Sequence, residues 1–205
     1  MRVDAVLFDL DGVLVDACDW HYHALNDALL AAGYPIIGKK DHVSKFNGLP
    51  TRVKLRILGI PEKDAEKINE EKQKHTLKII SKMAKVMPEK VALHTYLKSK
   101  GIKIACVTNS IRETATEMLR ATGQLDFIDL LISNEMVKNN KPSPDCYNLA
   151  VDSLGVEPRY CVCIEDSPKG IEAAKASRVP NIWVVPNPTA VTKDDFVSLI
   201  SEEAP

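Results

Sequence analysis

The chain has 205 residues, enough for one sizeable domain or for a core that carries a smaller insertion. Apolar residues make up 45% and charged residues 27%, the balance of a soluble globular protein. A net charge of −1 excludes a global attraction to nucleic acid or to an anionic membrane, and no apolar run approaches the roughly 20 residues that span a bilayer.

The first predicted strand, Ala5–Leu10, is apolar on both faces, as a buried parallel strand is, and it runs into Asp9-Leu10-Asp11-Gly12. Alternation along a strand sends Asp9 and Asp11 out on the same side at its C-terminal end. Two carboxylates held that close repel, and a divalent cation such as Mg²⁺, which takes oxygen ligands, relieves the repulsion. Read alone, the segment is equally a strand ending in a polar turn, because Asp and Gly are good turn formers. Asp4 interrupts any signal-peptide core, so the expected setting is cytoplasmic.

The stretch from about Asp16 to Met87 is too long for a single crossover. It carries helical patterns at Asp19–Ala32, Arg52–Leu58 and Glu62–Met83, with loops expected around Pro35–Lys45 and Gly48–Pro50. A helical insertion accounts for that length. Basic residues cluster between Lys63 and Lys85, but acids are interleaved with them, which is the pattern of a solvated helix face.

Strands at Ile102–Thr108, Leu130–Ser133, Tyr160–Glu165 and Ile182–Val185 then alternate with helices near Val91–Lys100, Arg112–Thr122, Pro144–Leu154, Pro168–Ser177 and Lys193–Ser201. Such alternation predicts an α/β fold with a parallel sheet flanked by helices. Gly101 and Gly123 stand where helix C-terminal glycines belong. Ser110 with Glu113 reads as a capping box, and Ser143-Pro144 and Ser167-Pro168 as N-cap serines before an N1 proline. Of the five cysteines, Cys106, Cys161 and Cys163 fall inside strands and read as small buried hydrophobes; a reducing compartment follows.

Right-handed crossovers gather the strand C-termini on one edge, where open α/β sheets bind ligands. The strands deliver Asp9 and Asp11, then Thr108-Asn109-Ser110, then Lys141-Pro142 after a loop, then Glu165-Asp166-Ser167. Carboxylates, one fixed cation, hydroxyls and helix-terminal amides together suit a divalent metal and a phosphoryl group. Each has a bland alternative, such as Thr108 as a helix cap or Lys141 as a solvated loop lysine. Four such groups in this order make coincidence improbable.

These segments resemble the four motifs of the haloacid dehalogenase superfamily of phosphotransferases, in its β-phosphoglucomutase and phosphoglycolate-phosphatase-like branch. The resemblance spans essentially the whole chain. It implies a Rossmann-like core at 1–15 and 88–205, with a helical cap at 16–87. It further implies Asp9 as nucleophile, Asp11 as acid and base, Thr108 and Asn109 on the phosphoryl oxygens, and Lys141 as charge neutraliser. Mg²⁺ would be held by Asp9, the backbone carbonyl of Asp11, Asp166 and, directly or through water, Glu165. His21, Asn47, Gly48, Arg52 and Lys72 are the candidate substrate contacts of the cap. Asp11 argues for phosphoryl chemistry, because the superfamily's dehalogenases lack this second acid.

The expected activity is hydrolysis of a small phosphorylated metabolite, such as a sugar phosphate or phosphoglycolate, by a monomer or weak homo-oligomer. Thr108-Asn109 resembles the phosphatase form of the second motif more than the serine-rich form of the mutases. The alternatives are a β-phosphoglucomutase-like mutase and a non-catalytic relative that binds a metabolite or partner. Retention of Asp9, Asp11, Lys141 and Asp166 argues against the last, since none is required merely to fold.

Overall fold

The computed structural model describes residues 1–202. Five strands, β1 (Ala5–Phe8), β2 (Lys103–Val107), β3 (Leu130–Ile132), β4 (Cys161–Glu165) and β5 (Asn181–Val184), form one sheet. All are parallel, in the order β3-β2-β1-β4-β5. The order reverses beside β1, so the crevice above its C-terminal end is the topological switch point.

The sheet buries both faces. Val6 and Phe8 pack with Ile104, Cys106 and Ile164 on one side, beneath α5 (Pro88–Ser99), α6 (Arg112–Ala121) and α9 (Lys193–Glu202). Ala5 and Leu7 pack with Ala105, Val107 and Cys163 on the other, beneath α7 (Asp145–Leu154) and α8 (Pro168–Ala176). This period of two is what alternating side chains of a doubly covered sheet require. The strand cysteines are buried and unpaired, as expected.

Between β1 and α5 lie α1 (Cys18–Ala31), the short α2 (Lys39–Asp41), a π-helical turn at His42–Phe46, α3 (Thr51–Ile57) and α4 (Glu62–Met83). They carry a hydrophobic cluster of their own, including Leu25, Leu29, Phe46, Leu55 and Ile68. The segment expected as a loop, Pro35–Lys45, therefore contains α2 and most of the π-helical turn. Its anchor is nonlocal: Asn26 exchanges two hydrogen bonds with the backbone of Ile37. Among the described residues, no helix is long and apolar enough to cross a membrane.

Two of the three capping expectations need correction. Ser110 does not cap α6, whose N-cap position is Ile111 and has no side-chain cap bond. Its hydroxyl donates instead to Asp11 Oδ2 (3.0 Å), while the Arg112 amide donates to Glu135. A tertiary carboxylate has outcompeted the local backbone. Helix α7 starts one residue later than expected, at Asp145, and Ser143 donates to the Asp145 carboxylate. Ser167 does cap α8, accepting from the Gly170 amide.

Candidate active site

The C-terminal ends of β1, β2 and β4 and the inserted helices enclose a cavity of about 530 Å³. Asp9 lies on its floor, one residue beyond β1, and its Oδ1 accepts from Lys141 Nζ at 2.8 Å. The same ammonium donates to Glu165 Oε1 (2.6 Å) and to the Val107 carbonyl (2.8 Å). Glu165 is wholly buried and also accepts from the Tyr147 hydroxyl at 2.6 Å. Lys141 thus ties three strand ends together. Burial lowers an ammonium's pKa, yet Asp9 and Glu165 together outweigh it and hold Lys141 above its ordinary value.

One lysine faces more than one carboxylate. Oxygens of Asp9, Glu165 and Asp166 all lie within 4.8 Å of one another. Burial, then the Glu165 charge, pushes Asp9 well above the usual carboxylate range and Asp166 up to about 6. Asp166 Oδ1 is buried without a hydrogen-bond partner. A cluster of hard oxygens with surplus negative charge and an orphaned acceptor is the donor set a divalent cation takes. The residues fit Mg²⁺. Gly12 makes room for the arrangement: at φ +98° it carries no Cβ, which would overlap the Asp166 carboxylate.

The Asp11 carboxylate stands apart from this group. Its Oδ1 lies 2.9 Å from His21 Nε2 on α1, and its Oδ2 accepts from Ser110. Burial alone would raise its pKa, but the charge of His21, the His21 and Ser110 hydrogen bonds and the charge of Lys72 bring it below the ordinary value. Lys72 Nζ in turn lies 3.1 Å from His21 Nδ1. Burial, then the charge of Lys72, pushes His21 down, and burial pushes Lys72 down to about 7. A chain Lys72–His21–Asp11 therefore runs from the inserted helices to the sheet edge. Lys72 reaches it because it continues the buried stripe of α4, Ala65–Ile68–Lys72–Thr76–Ile80.

The remaining expected residues divide. Thr108 is buried and lines the cavity, its hydroxyl accepting from the Ser110 amide. Asn109 donates to the Gly48 carbonyl (2.8 Å) and to the Lys141 carbonyl (3.2 Å), so it joins the insertion to the sheet edge. Asn47 and Gly48 line the cavity. Arg52 stands on its wall but is largely exposed, with loose ion pairs to Glu62 (3.9 Å) and Glu66 (3.6 Å). His23 is exposed and lies outside the cavity. Sequence reasoning missed Lys54, which is buried on α3 and lines the cavity, and Tyr147, which holds Glu165. The available signal for Lys54 was its place three positions after Thr51, on the face of α3 that also buries Leu55.

A family model described as haloacid dehalogenase-like hydrolase matches residues 6–184. A phosphorylated carbohydrates phosphatase of Thermotoga maritima is 32% identical over 190 residues, covering 89% of this chain and 85% of the relative. A phosphoglycolate phosphatase of Aquifex aeolicus is 32% identical over 179 residues, covering 85% and 80%. The solved structure of a β-phosphoglucomutase from Clostridium difficile superposes with a TM-score of 0.82 at 25% identity, covering 98% of each chain.

Proposed function

The chain belongs to the haloacid dehalogenase-like hydrolase family, and from that premise we propose that it is a Mg²⁺-dependent phosphatase of small phosphorylated metabolites. The observation that carries the reading is the Lys141 ammonium bonded to Asp9 at the floor of a cavity under the inserted helices, with Asp11 held separately beside it. One carboxylate is thereby positioned to attack and the other to move protons. Residues 16–87 act as the cap that closes over them.

In this reading Asp9 attacks phosphorus, the ester oxygen leaves, and an aspartyl phosphate forms. Lys141 offsets charge on the nucleophile and on the transferring group, while Thr108 and the Asn109 amide take phosphoryl oxygens. Asp11 protonates the leaving oxygen and later removes a proton from the water that hydrolyses the intermediate. The lowered pKa of Asp11 favours its ionised form, the one needed for the second step. A phosphate dianion brought beside it raises its pKa by like-charge repulsion, so substrate itself recruits the proton for the first step. Mg²⁺, held by Asp9, Asp166 and the Asp11 backbone carbonyl, would supply cationic stabilisation of the charge on the phosphoryl oxygens. Glu165 supports from behind, because its oxygens are engaged by Lys141, Tyr147 and the Asp166 amide.

The test is phosphate release from p-nitrophenyl phosphate and from a panel of sugar phosphates and phosphoglycolate. Release is expected with Mg²⁺ and absent with a chelator, and Asp9→Asn is expected to lower kcat at least about 10³-fold. Undiminished turnover in purified Asp9→Asn would exclude Asp9 as nucleophile. Conversion of β-glucose 1-phosphate to the 6-phosphate, without net phosphate release, would replace the phosphatase by the mutase.

A further inference from the structure

Four lysines approach the cavity, and three have acceptors. Lys141 is bonded to Asp9, Glu165 and Val107, Lys72 is paired with His21 Nδ1, and Lys169 donates to the Asn47 carbonyl at 3.4 Å. Lys54 has none: among the described residues, its ammonium makes no hydrogen bond or ion pair. Yet the residue is only 5% exposed and lines the cavity. Its buried stem holds the ammonium at the cavity wall, where the charge keeps contact with the cavity and has no protein acceptor.

The surroundings say which kind of partner is missing. Lys54 is near enough to Asp11 to feel its charge, but both Asp11 oxygens are already engaged by His21 and Ser110. Every carboxylate that lines the cavity comes from the sheet side: Asp9, Asp11 and Glu135. The inserted helices contribute Arg52, Lys54 and Lys72 to the lining, and no acid. Burial lowers the pKa of Lys54 to about 8, so it remains mostly charged at neutral pH. A phosphoryl group seated on Asp9 and Lys141 would direct the rest of its substrate toward this wall.

We propose that Lys54 is a specificity-determining residue whose ammonium takes an anionic group, a carboxylate or a second phosphate, carried by the leaving group of the substrate. The inference rests on the phosphatase reading and narrows it to esters with a negative charge at both ends.

The experiment compares esters with and without a second anionic group. One pair is 2-phosphoglycolate and ethyl phosphate; the other is fructose 1,6-bisphosphate and fructose 6-phosphate. The full chain with Mg²⁺ is expected to favour the doubly anionic member of at least one pair by ten-fold or more in kcat/KM. The preferred pair identifies carboxylate or phosphate as the group bound. Lys54→Met and Lys54→Gln should reduce that preference at least ten-fold, and Lys54→Arg should keep most of it. Thermal melting of each variant reports folding, and Lys54→Gln serves if the Met variant is unfolded. Absence of preference in both pairs overturns the proposal, as does a preference unchanged in both variants. An equal loss on every ester overturns it too, since Lys54 would then act through Asp11.

Calorimetric binding of the same pairs to Asp9→Asn, with and without Lys54→Met, separates the two readings. Preferential binding that depends on Lys54, without turnover in the parent enzyme, would sink the phosphatase reading and leave the subsite standing. Turnover without Lys54-dependent selectivity would do the reverse.

Discussion

The sheet edge and the inserted helices meet at one cavity with opposite charge. On the sheet side, Asp9, Glu165 and Asp166 crowd around the single cation Lys141. On the helical side, Lys54, Lys72 and His21 gather with no carboxylate of their own. The sheet side is nearly complete in itself: its lysine has three acceptors, and its surplus charge calls for one divalent cation. The helical side is incomplete by construction, with an unbonded ammonium at Lys54. Chemistry common to a family sits naturally on the wall that the strand ends hold in place. Selection among substrates sits on the wall that a ligand has to finish.

The most severe way to break this contrast is to remove the cation that completes the sheet side. Lys141→Met leaves Asp9 and Glu165 buried without their shared partner. Breaking a buried ion pair in this way costs about 3–5 kcal/mol. Chemical denaturation should show a loss of that order, and kcat should fall at least about 10³-fold because the nucleophile loses its neutralising charge. A variant that kept near-normal kcat would show that Lys141 is only structural.

A milder break acts through backbone space. Gly170 on α8 lies against Glu165, and a Cβ there would overlap the Glu165 carboxylate. Gly170→Ala ordinarily gains about 1 kcal/mol of helix propensity. Here the displaced Glu165 loses its charge-assisted bonds to Lys141 and Tyr147, worth about 1.5–3 kcal/mol each. The second effect is larger, so the variant should melt lower and lose about 10²-fold in kcat. A rise in Tm with activity intact would mean that Glu165 can shift without consequence.

The two walls also differed in how readily the sequence disclosed them. Every strand was legible from its apolar run, and the sheet-edge residues other than Lys141, which follows a loop after β3, were legible because each sits within a few positions of a strand end. Parallel topology then brings them together whatever the connecting helices do. The insertion offered no such rule. Its segment Pro35–Lys45 reads as loop because its anchor, Asn26 on Ile37, is invisible to local periodicity. Ser110 matched a capping box, yet bonds a carboxylate nearly a hundred positions away in sequence. Lys72 was named only through the family resemblance, because locally it stands among solvated lysines, although its four-residue spacing from Ile68 and Thr76 places it on the buried stripe. Lys54 carried the same signal on α3, and a lysine on an apolar helix face was the clue to follow.

The smallest expected effect concerns the inserted helices away from the cavity lining. His42 is 1% exposed, neither ring nitrogen has a hydrogen-bond partner, and its ring meets Tyr22 edge-on at 5.3 Å. Burial, then the Lys54 charge, pushes its pKa down to about 4 from an ordinary 6.5. The unfolded chain therefore binds the proton first as pH falls. The stability this group confers is complete above pH 6.5 and is lost as pH drops from 6.5 through 4, by up to about 3 kcal/mol. Phenylalanine keeps the ring and its packing but cannot titrate. His42→Phe should be no less stable than the parent at pH 7 and about 2 kcal/mol more stable at pH 4.5, as urea denaturation at the two pH values would measure. His94 is the internal control, since burial also pushes it to about 4 but its Nε2 is bonded to Gln124 beneath the sheet. Its acid dependence should persist in the variant, leaving a shallower limb and not a flat one. An acid limb as steep in His42→Phe as in the parent would show that His42 finds a partner on protonation, and that this part of the insertion is better satisfied than its orphaned nitrogens indicate.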